Sequence, residues 1–170
     1  FGLQGWRLEG VDSDPRAALA AGQSGLNVHL GTVESLALSQ SSYDLALMIQ
    51  TIEHVADPLG VLQAVRAILR PGGRLVVVTD NTGSPDFKLF KGRYWGGYHF
   101  PRHWNLFNKR ALTALASKAG FEVETLSTAV SPVNWVYSIR NALVDSRAPA
   151  WLVNRFSLES TASLAAATMF

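Results

Sequence analysis

"YDLALMIQTIEHVADP", residues 43–58, decides how the rest of the chain is read. Its first half is a nearly continuous apolar run, the pattern of a strand buried on both faces. Its last two residues, Asp57 and Pro58, start a helix: a capping carboxylate, then a residue with no N–H to satisfy. Gln50, Glu53 and His54 stand between strand and helix. An acid and an imidazole side by side there suit a metal site, an acid/base pair or the polar rim of a ligand crevice. The neighbouring segments have to choose.

The same alternation continues outward. Downstream, Val61, Leu62, Val65, Ile68 and Leu69 form one helical stripe, "RPGG" (70–73) breaks it, and "RLVVVTD" (74–80) is a second buried strand. Upstream, "WRLEGVD" (6–12) alternates as a strand, Asp14 and Pro15 open a helix, and "LNVHLGT" (26–32) is another short strand. The pattern further predicts a helix over 108–120, capped by Asn108 and closed by Gly120. It also predicts a strand over 121–130 and helices over 134–146 and 149–169, while residues 81–107 show no period. Strands alternating with helices predict an α/β domain of the Rossmann-like, doubly wound kind, with a mostly parallel sheet and helices on both faces. Residues 1–130 are read as its core and 131–170 as a helical extension of the same domain.

Composition narrows the class. With 170 residues, 48% hydrophobic and 16% charged, the chain can bury a core and is not disordered. Fifteen scattered Lys and Arg and a formal charge of +2 predict no nucleic-acid partner. No apolar run is long enough to span a membrane, so a cytoplasmic protein is expected. The absence of cysteine removes disulfide and thiolate chemistry. The chain opens on "FGLQGW" without methionine and stops at "AAATMF" without a cap, so it reads as a fragment or as the ordered part of a longer chain.

In doubly wound sheets ligands bind beyond the carboxyl ends of the strands. Here those ends carry Asp12, Gln50 and Asp80-Asn81. A carboxylate at Asp12, with Ser13 beside it, can accept hydrogen bonds from both ribose hydroxyls of a nucleotide cofactor. The plainer alternative is a cap on the approach to the helix, a role Asp14 already fills. In "GTVESL" (31–36), the backbone of Thr32 and Val33 and the Thr32 hydroxyl suit an adenine edge, and an ordinary loop suits the segment equally well. His29, inside a strand, is read as structural.

The series "GVDSDP … GTVESL … YDLALMIQTIEHVADP … ILRPGGRLVVVTDN … FPRHWNLFNKRALTALASKAGFEV" resembles the class I S-adenosylmethionine-dependent methyltransferases over about residues 6–125. The resemblance implies S-adenosylmethionine as cofactor and methyl transfer to a small or lipid-like acceptor. It places Asp12 on the ribose, Thr32 and Val33 at the adenine, and Gln50 and Thr51 beside the methionine. The family's glycine-rich first strand and turn, which lies centrally between the strands ending at Asp12 and Gln50, is missing, as is its last strand. The fourteen glycines contain no GxG. Two lines of unpaired backbone groups would then border the gap, favouring pairing with another chain, as in a homodimer, or with a further part of the same chain. This chain alone is expected to bind S-adenosylmethionine weakly or not at all.

Some relatives carry Glu-x-x-Glu-His at the opening motif and bind a divalent metal. Here the first acid is Gln50, an amide and a poor ligand for a hard cation, and the four histidines are dispersed in sequence, so no metal is expected. Glu53 is read as fixing local backbone, with His54 facing cofactor or substrate. The aromatic-dense segment 91–107 falls where the family covers its acceptor, so 81–107 is expected to be a substrate lid. Tyr94, Trp95, Tyr98 and Arg102 would line it, its glycines would allow hinge motion, and His99 or His103 would take a proton from an acceptor hydroxyl. Equally, Arg102 and His103 would pin the lid to the domain. Two other readings stand: a nicotinamide-dependent oxidoreductase, which Asp12 would serve equally well, and a degenerate, non-catalytic binding module.

Overall fold

The computed structural model describes residues 5–157. β1 (Glu9–Asp12), α1 (Pro15–Gln23) and β2 (Asn27–Leu30) form a first unit, with Asp14 capping α1 through the Arg16 N–H. β3 (Tyr43–Ile49), a 3₁₀ turn (Ile52–His54), α2 (Pro58–Ile68) and β4 (Leu69–Val78) form a second. Then come α3 (Pro85–Phe90), a 3₁₀ turn (Gly96–Tyr98), α4 (Lys109–Lys118), α5 (Pro132–Asp145) and α6 (Ala150–Asn154). Predicted helix beyond residue 157 lies outside the described residues.

Every described strand pair is parallel, β1 with β2 and β3 with β4, as strand–helix–strand crossovers require. The pairs remain two separate sheets; no described strand pairs with the remaining edges of β1 or β3. α2 supplies the predicted stripe: Val61, Leu62 and Val65 are buried with Met48, Ile52, Leu69 and Phe107 in one core. The expectation that β3 and β4 are covered on both faces does not hold among the described residues. Ala46, Met48, Leu75 and Val77 face the core, whereas Leu47, Ile49, Val76 and Val78 stay at least 43% exposed. The pleat sends alternate residues to opposite sides, and only one side meets described helices.

Three other expectations change. "RPGG" ends α2 but also begins β4: the pairing jumps from Tyr43↔Leu69 to Leu45↔Arg74, and the extra residues bulge out. Gly73 sits where the two chains close, since a Cβ there would lie 3.0 Å from the Tyr43 carbonyl oxygen. Residues 121–130 form no strand; no described strand lies alongside to complete a ladder, and Val123, Leu126 and Val130 are exposed. Within 81–107 stands the unpredicted helix α3, although Ser84 caps it and Pro85 opens it.

A part-buried side-chain hydrogen bond links the two sheets. The Tyr43 hydroxyl donates to Glu9 Oε2 at 2.6 Å, across 34 residues of chain. This bond holds the Glu9 carboxyl below its ordinary range and pushes the Tyr43 hydroxyl up. A depressed carboxyl contributes stability above its unfolded pKa and loses it as pH falls through the folded value. Tyr43→Phe is therefore expected to destabilise the protein by about 1 kcal/mol near neutral pH. In urea melts the difference from wild type should close as pH falls below 4.5, the ordinary Glu value. A pH-independent difference would mean lost packing rather than the charged hydrogen bond.

Candidate active site

The carboxyl ends of the strands gather the polar residues. Asp12, half-buried at the end of β1, accepts the Asp14 N–H through Oδ1 at 2.8 Å. Asp14 in turn accepts from the Arg16 N–H and guanidinium, which holds its carboxyl below the usual range. So Asp12 braces the approach to α1 with one oxygen. Ser13 beside it is exposed. At the end of β2 the Thr32 N–H donates to Ser35 Oγ at 3.0 Å, and its carbonyl accepts the Ser35 and Leu36 N–H groups. That tight turn occupies the Thr32 backbone, while Val33 packs against the core.

β3 ends at Gln50, whose backbone is left-handed (φ 49°) and whose N–H bonds the Val78 carbonyl at 2.8 Å. Thr51 donates to the Ile49 carbonyl and stays exposed. In the following turn Ile52 enters the core and Glu53 is buried with it. Thr79 Oγ donates to Glu53 Oε2 at 2.7 Å, and the Glu53 carbonyl accepts from the Trp104 and Asn105 N–H groups. Asn105 adds a side-chain bond to the Val55 carbonyl at 2.7 Å. The Glu53 carboxylate thus bonds a hydroxyl and no backbone group; it is the Glu53 main-chain carbonyl that holds the returning lid.

The lid is pinned to α5. Trp95 is buried, its Nε1–H donating to Asp86 Oδ2 at 2.7 Å. The Gly96 N–H bonds Ser138 Oγ, Asn134 bonds Asp80 Oδ1, and Tyr94 donates to Asp145. Gly96 and Gly97 are buried packing residues and not hinges: a Cβ on Gly96 would meet the Asn134 carbonyl oxygen at 2.6 Å. Between the turn, residues 99–102 and α5 lies an open cavity of about 400 Å³, reached by Tyr98, His99, Arg102, Tyr137 and Asn141. The sequence reading named neither Asn134 nor Ser138. Their signal was two polar residues at i and i+4 on one face of an amphipathic helix, which buried positions rarely carry without partners.

Three of the four histidines, dispersed in sequence, converge. His54 and His103 meet edge to face at 4.7 Å, and His99 stacks on His103 at 5.3 Å. His54 Nδ1 lies 2.9 Å from the Arg102 carbonyl, and His103 Nδ1 lies 2.8 Å from the Gly97 carbonyl. These contacts tie His54 and His103 to the lid backbone, as the pinning reading expects. The donor set also fits, in part, the metal that some methyltransferases hold. Glu53 Oε1 is buried without a hydrogen-bond partner, and one donor atom each from Glu53, His54 and His103 lies within 4.8 Å of the others. The second carboxylate of such sites is absent, Gln50 standing in its place.

A family model described as "Methyltransferase domain" matches residues 1–126. The ubiquinone biosynthesis O-methyltransferase of Cereibacter sphaeroides strain ATCC 17029 is 34% identical over 147 residues, covering 79% of this chain and 60% of that protein. The protein of the same description from Ruegeria pomeroyi is 32% identical over 133 residues, covering 74% and 54%. The chain therefore spans 60% or less of the length of these relatives. A SAM-dependent methyltransferase structure from Thermotoga maritima superposes with TM-score 0.59 at 34% identity, over 67% of this chain and 55% of that one. A toxoflavin-precursor N1-methyltransferase from Burkholderia thailandensis, solved with S-adenosylhomocysteine, shares the fold at TM-score 0.59 and 24% identity, over 79% and 59%. These matches displace the oxidoreductase reading. With Rossmann-like neighbours and a matched domain over most of its length, the chain belongs to the class I S-adenosylmethionine-dependent methyltransferase family.

Proposed function

We propose that the protein transfers a methyl group from S-adenosylmethionine to a small or lipid-like acceptor held under the 81–107 lid. The observation carrying this reading is the set of polar residues just past the strand ends, Asp12, Gln50 and Thr51, together with the aromatic cavity beside His99. Relatives named O-methyltransferases favour an oxygen acceptor. In this reading Asp12 Oδ2 takes a ribose hydroxyl, Ser13 stands beside it, and the Thr32–Val33 turn borders the adenine. Gln50 and Thr51 lie on the methionine side.

The activated sulfonium needs alignment, a dry site and at most one base. Tyr98 and Arg102 form acceptor walls, while Trp95 and Tyr94 hold the lid to Asp86 and Asp145. His99 is the exposed histidine at the cavity and takes the acceptor proton; His103 and His54 stack behind it. No described helix is long and apolar enough to cross a membrane. The reading places the reaction in the cytoplasm with a small-molecule acceptor. A homodimer is the favoured assembly, given the uncovered face at Leu47, Ile49, Val76 and Val78.

The deciding experiment incubates the complete protein with methyl-labelled S-adenosylmethionine and a panel of phenols, catechols and hydroxylated lipids. Label on any acceptor supports the reading; neither transfer nor cofactor binding makes the chain a non-catalytic module. Asp12→Ala is expected to weaken S-adenosylmethionine binding at least about tenfold by calorimetry, because a charged acceptor for ribose is lost. Asp14→Ala should lower the melting temperature through the lost cap and leave cofactor affinity alone. Equal effects on affinity would return Asp12 to a purely capping role. With the acceptor that the panel identifies, His99→Ala should lower kcat roughly 100-fold, the usual worth of a general base. An unchanged kcat would remove His99 from the chemistry.

A further inference from the structure

The cavity between the lid and α5 carries fixed charge of one sign. Arg93 and Arg102 line it, and no acidic residue does. The two arginines are not equivalent. Arg93 is matched by Asp145, its Nη2 lying 3.0 Å from Oδ1, and the Tyr94 hydroxyl takes the other oxygen of that carboxylate. Arg102 has no such match: among the described residues, none bonds or ion-pairs with its guanidinium. Its main chain does the pinning instead, the N–H bonding the His99 carbonyl at 2.9 Å and the carbonyl lying 2.9 Å from His54 Nδ1. The exposed side chain is left at the cavity. Tyr137, which lines the cavity from α5, likewise has an uncommitted hydroxyl among the described residues. Tyr98 and Asn141 differ, since they donate to the Lys91 and Tyr94 carbonyls.

We propose that the acceptor is a small organic acid: its carboxylate is taken by Arg102 with help from the Tyr137 hydroxyl, and its apolar body lies against Tyr98 and Phe100. The proposal rests on the methyl-transfer reading and makes Arg102 the residue that sets acceptor specificity within it. A cleft lined by one sign of charge with apolar walls concentrates ligands of the opposite sign. A guanidinium is a planar fork that meets a carboxylate through two parallel hydrogen bonds. One free guanidinium balances one negative charge. A phosphate dianion would leave a charge unmatched, because Arg93 is already spent on Asp145. His99 and Arg102 stand at the two ends of one tight turn, closed by the bond between them. Acid recognition and proton removal would therefore come from a single structural unit. A neutral acceptor gains nothing from Arg102, and a cationic one is repelled by it.

The test reads binding alone, without S-adenosylmethionine, so its failure leaves methyl transfer standing. Failure of label transfer with acid binding intact would remove the enzyme and keep the site. Dihydroxyphenylacetate, its uncharged amide and dopamine share a catechol ring and differ in side-chain charge. In calorimetry with the complete protein, the acid should bind at least about tenfold more tightly than the amide, with dopamine weakest. Added salt should narrow the gap between acid and amide. Arg102→Gln should abolish the advantage of the acid and leave the amide unchanged, while Arg102→Lys should restore only part of it, a point charge lacking the fork. Tyr137→Phe should weaken the acid roughly threefold. Arg74→Gln, at an exposed arginine paired with Glu124, should change neither ligand. Melting curves confirm that each variant is folded. Binding of none of the three, equal affinity for acid and amide, an advantage that survives Arg102→Gln, or an equal loss in Arg74→Gln would overturn the proposal.

Discussion

Three segments meet at Glu53, whose carboxylate is only 1% exposed and whose backbone carbonyl holds the returning lid. Its chain position is the step from β3 into the 3₁₀ turn. Thr79, just past β4, supplies the hydroxyl on Oε2, and Trp104 and Asn105 bring the returning lid onto its carbonyl. Leaving a buried polar partner unmade costs about 1–3 kcal/mol, so these bonds fix where the lid can end. Ile52, fully excluded from solvent, anchors the same turn in the apolar core. The floor of the crevice is therefore held from several sides, whereas Ser13, Thr32 and Thr51 stay exposed.

The lid follows from the same constraint. Trp95 cannot be buried unless its indole N–H is matched, and the polar groups around it find partners both nearby and far along the chain. Trp95 reaches Asp86, Gly96 reaches Ser138, and Asp80 reaches Asn134. Because α5 approaches the Gly96 backbone so closely, only a residue without Cβ fits there. The lid is open only at its outer edge, where Phe100 is 90% exposed and His99 and Arg102 face the cavity.

What could be read from sequence was local. The run 43–49, the Asp57 and Asn108 caps and the α2 stripe carry their structural causes within one turn or one strand. The predicted strand over 121–130 failed because a strand exists only through a neighbour, and its apolar residues could not reveal that none of the described strands lies beside them. The cluster of Glu53, His54 and His103 was likewise hidden: some fifty residues separate His103 from the other two, and the bonds of Trp104 and Asn105 to the Glu53 carbonyl and of His54 to the Arg102 carbonyl bring them together. Asp12 sat between two readings in the sequence, and the capping one is visible in the structure: one oxygen is committed to the Asp14 N–H.

Backbone strain marks the same place as the polar convergence. Among the described residues, Ser41, Gln50, His99 and Arg147 are the non-glycines with positive φ. Two of the four belong to the crevice, Gln50 at its floor and His99 at its mouth. Such conformations cost on the order of 1–3 kcal/mol each and persist only where the surroundings over-determine them. At Gln50 the N–H is captured by Val78 while the chain must turn at once to bury Ile52. At His99 the carbonyl accepts the Arg102 N–H, and the ring is held between His103 and Tyr137. A methyltransferase gains its rate from alignment more than from reactive side chains. Strain tolerated at the two residues flanking the crevice is therefore consistent with a fold that places atoms rather than activating them.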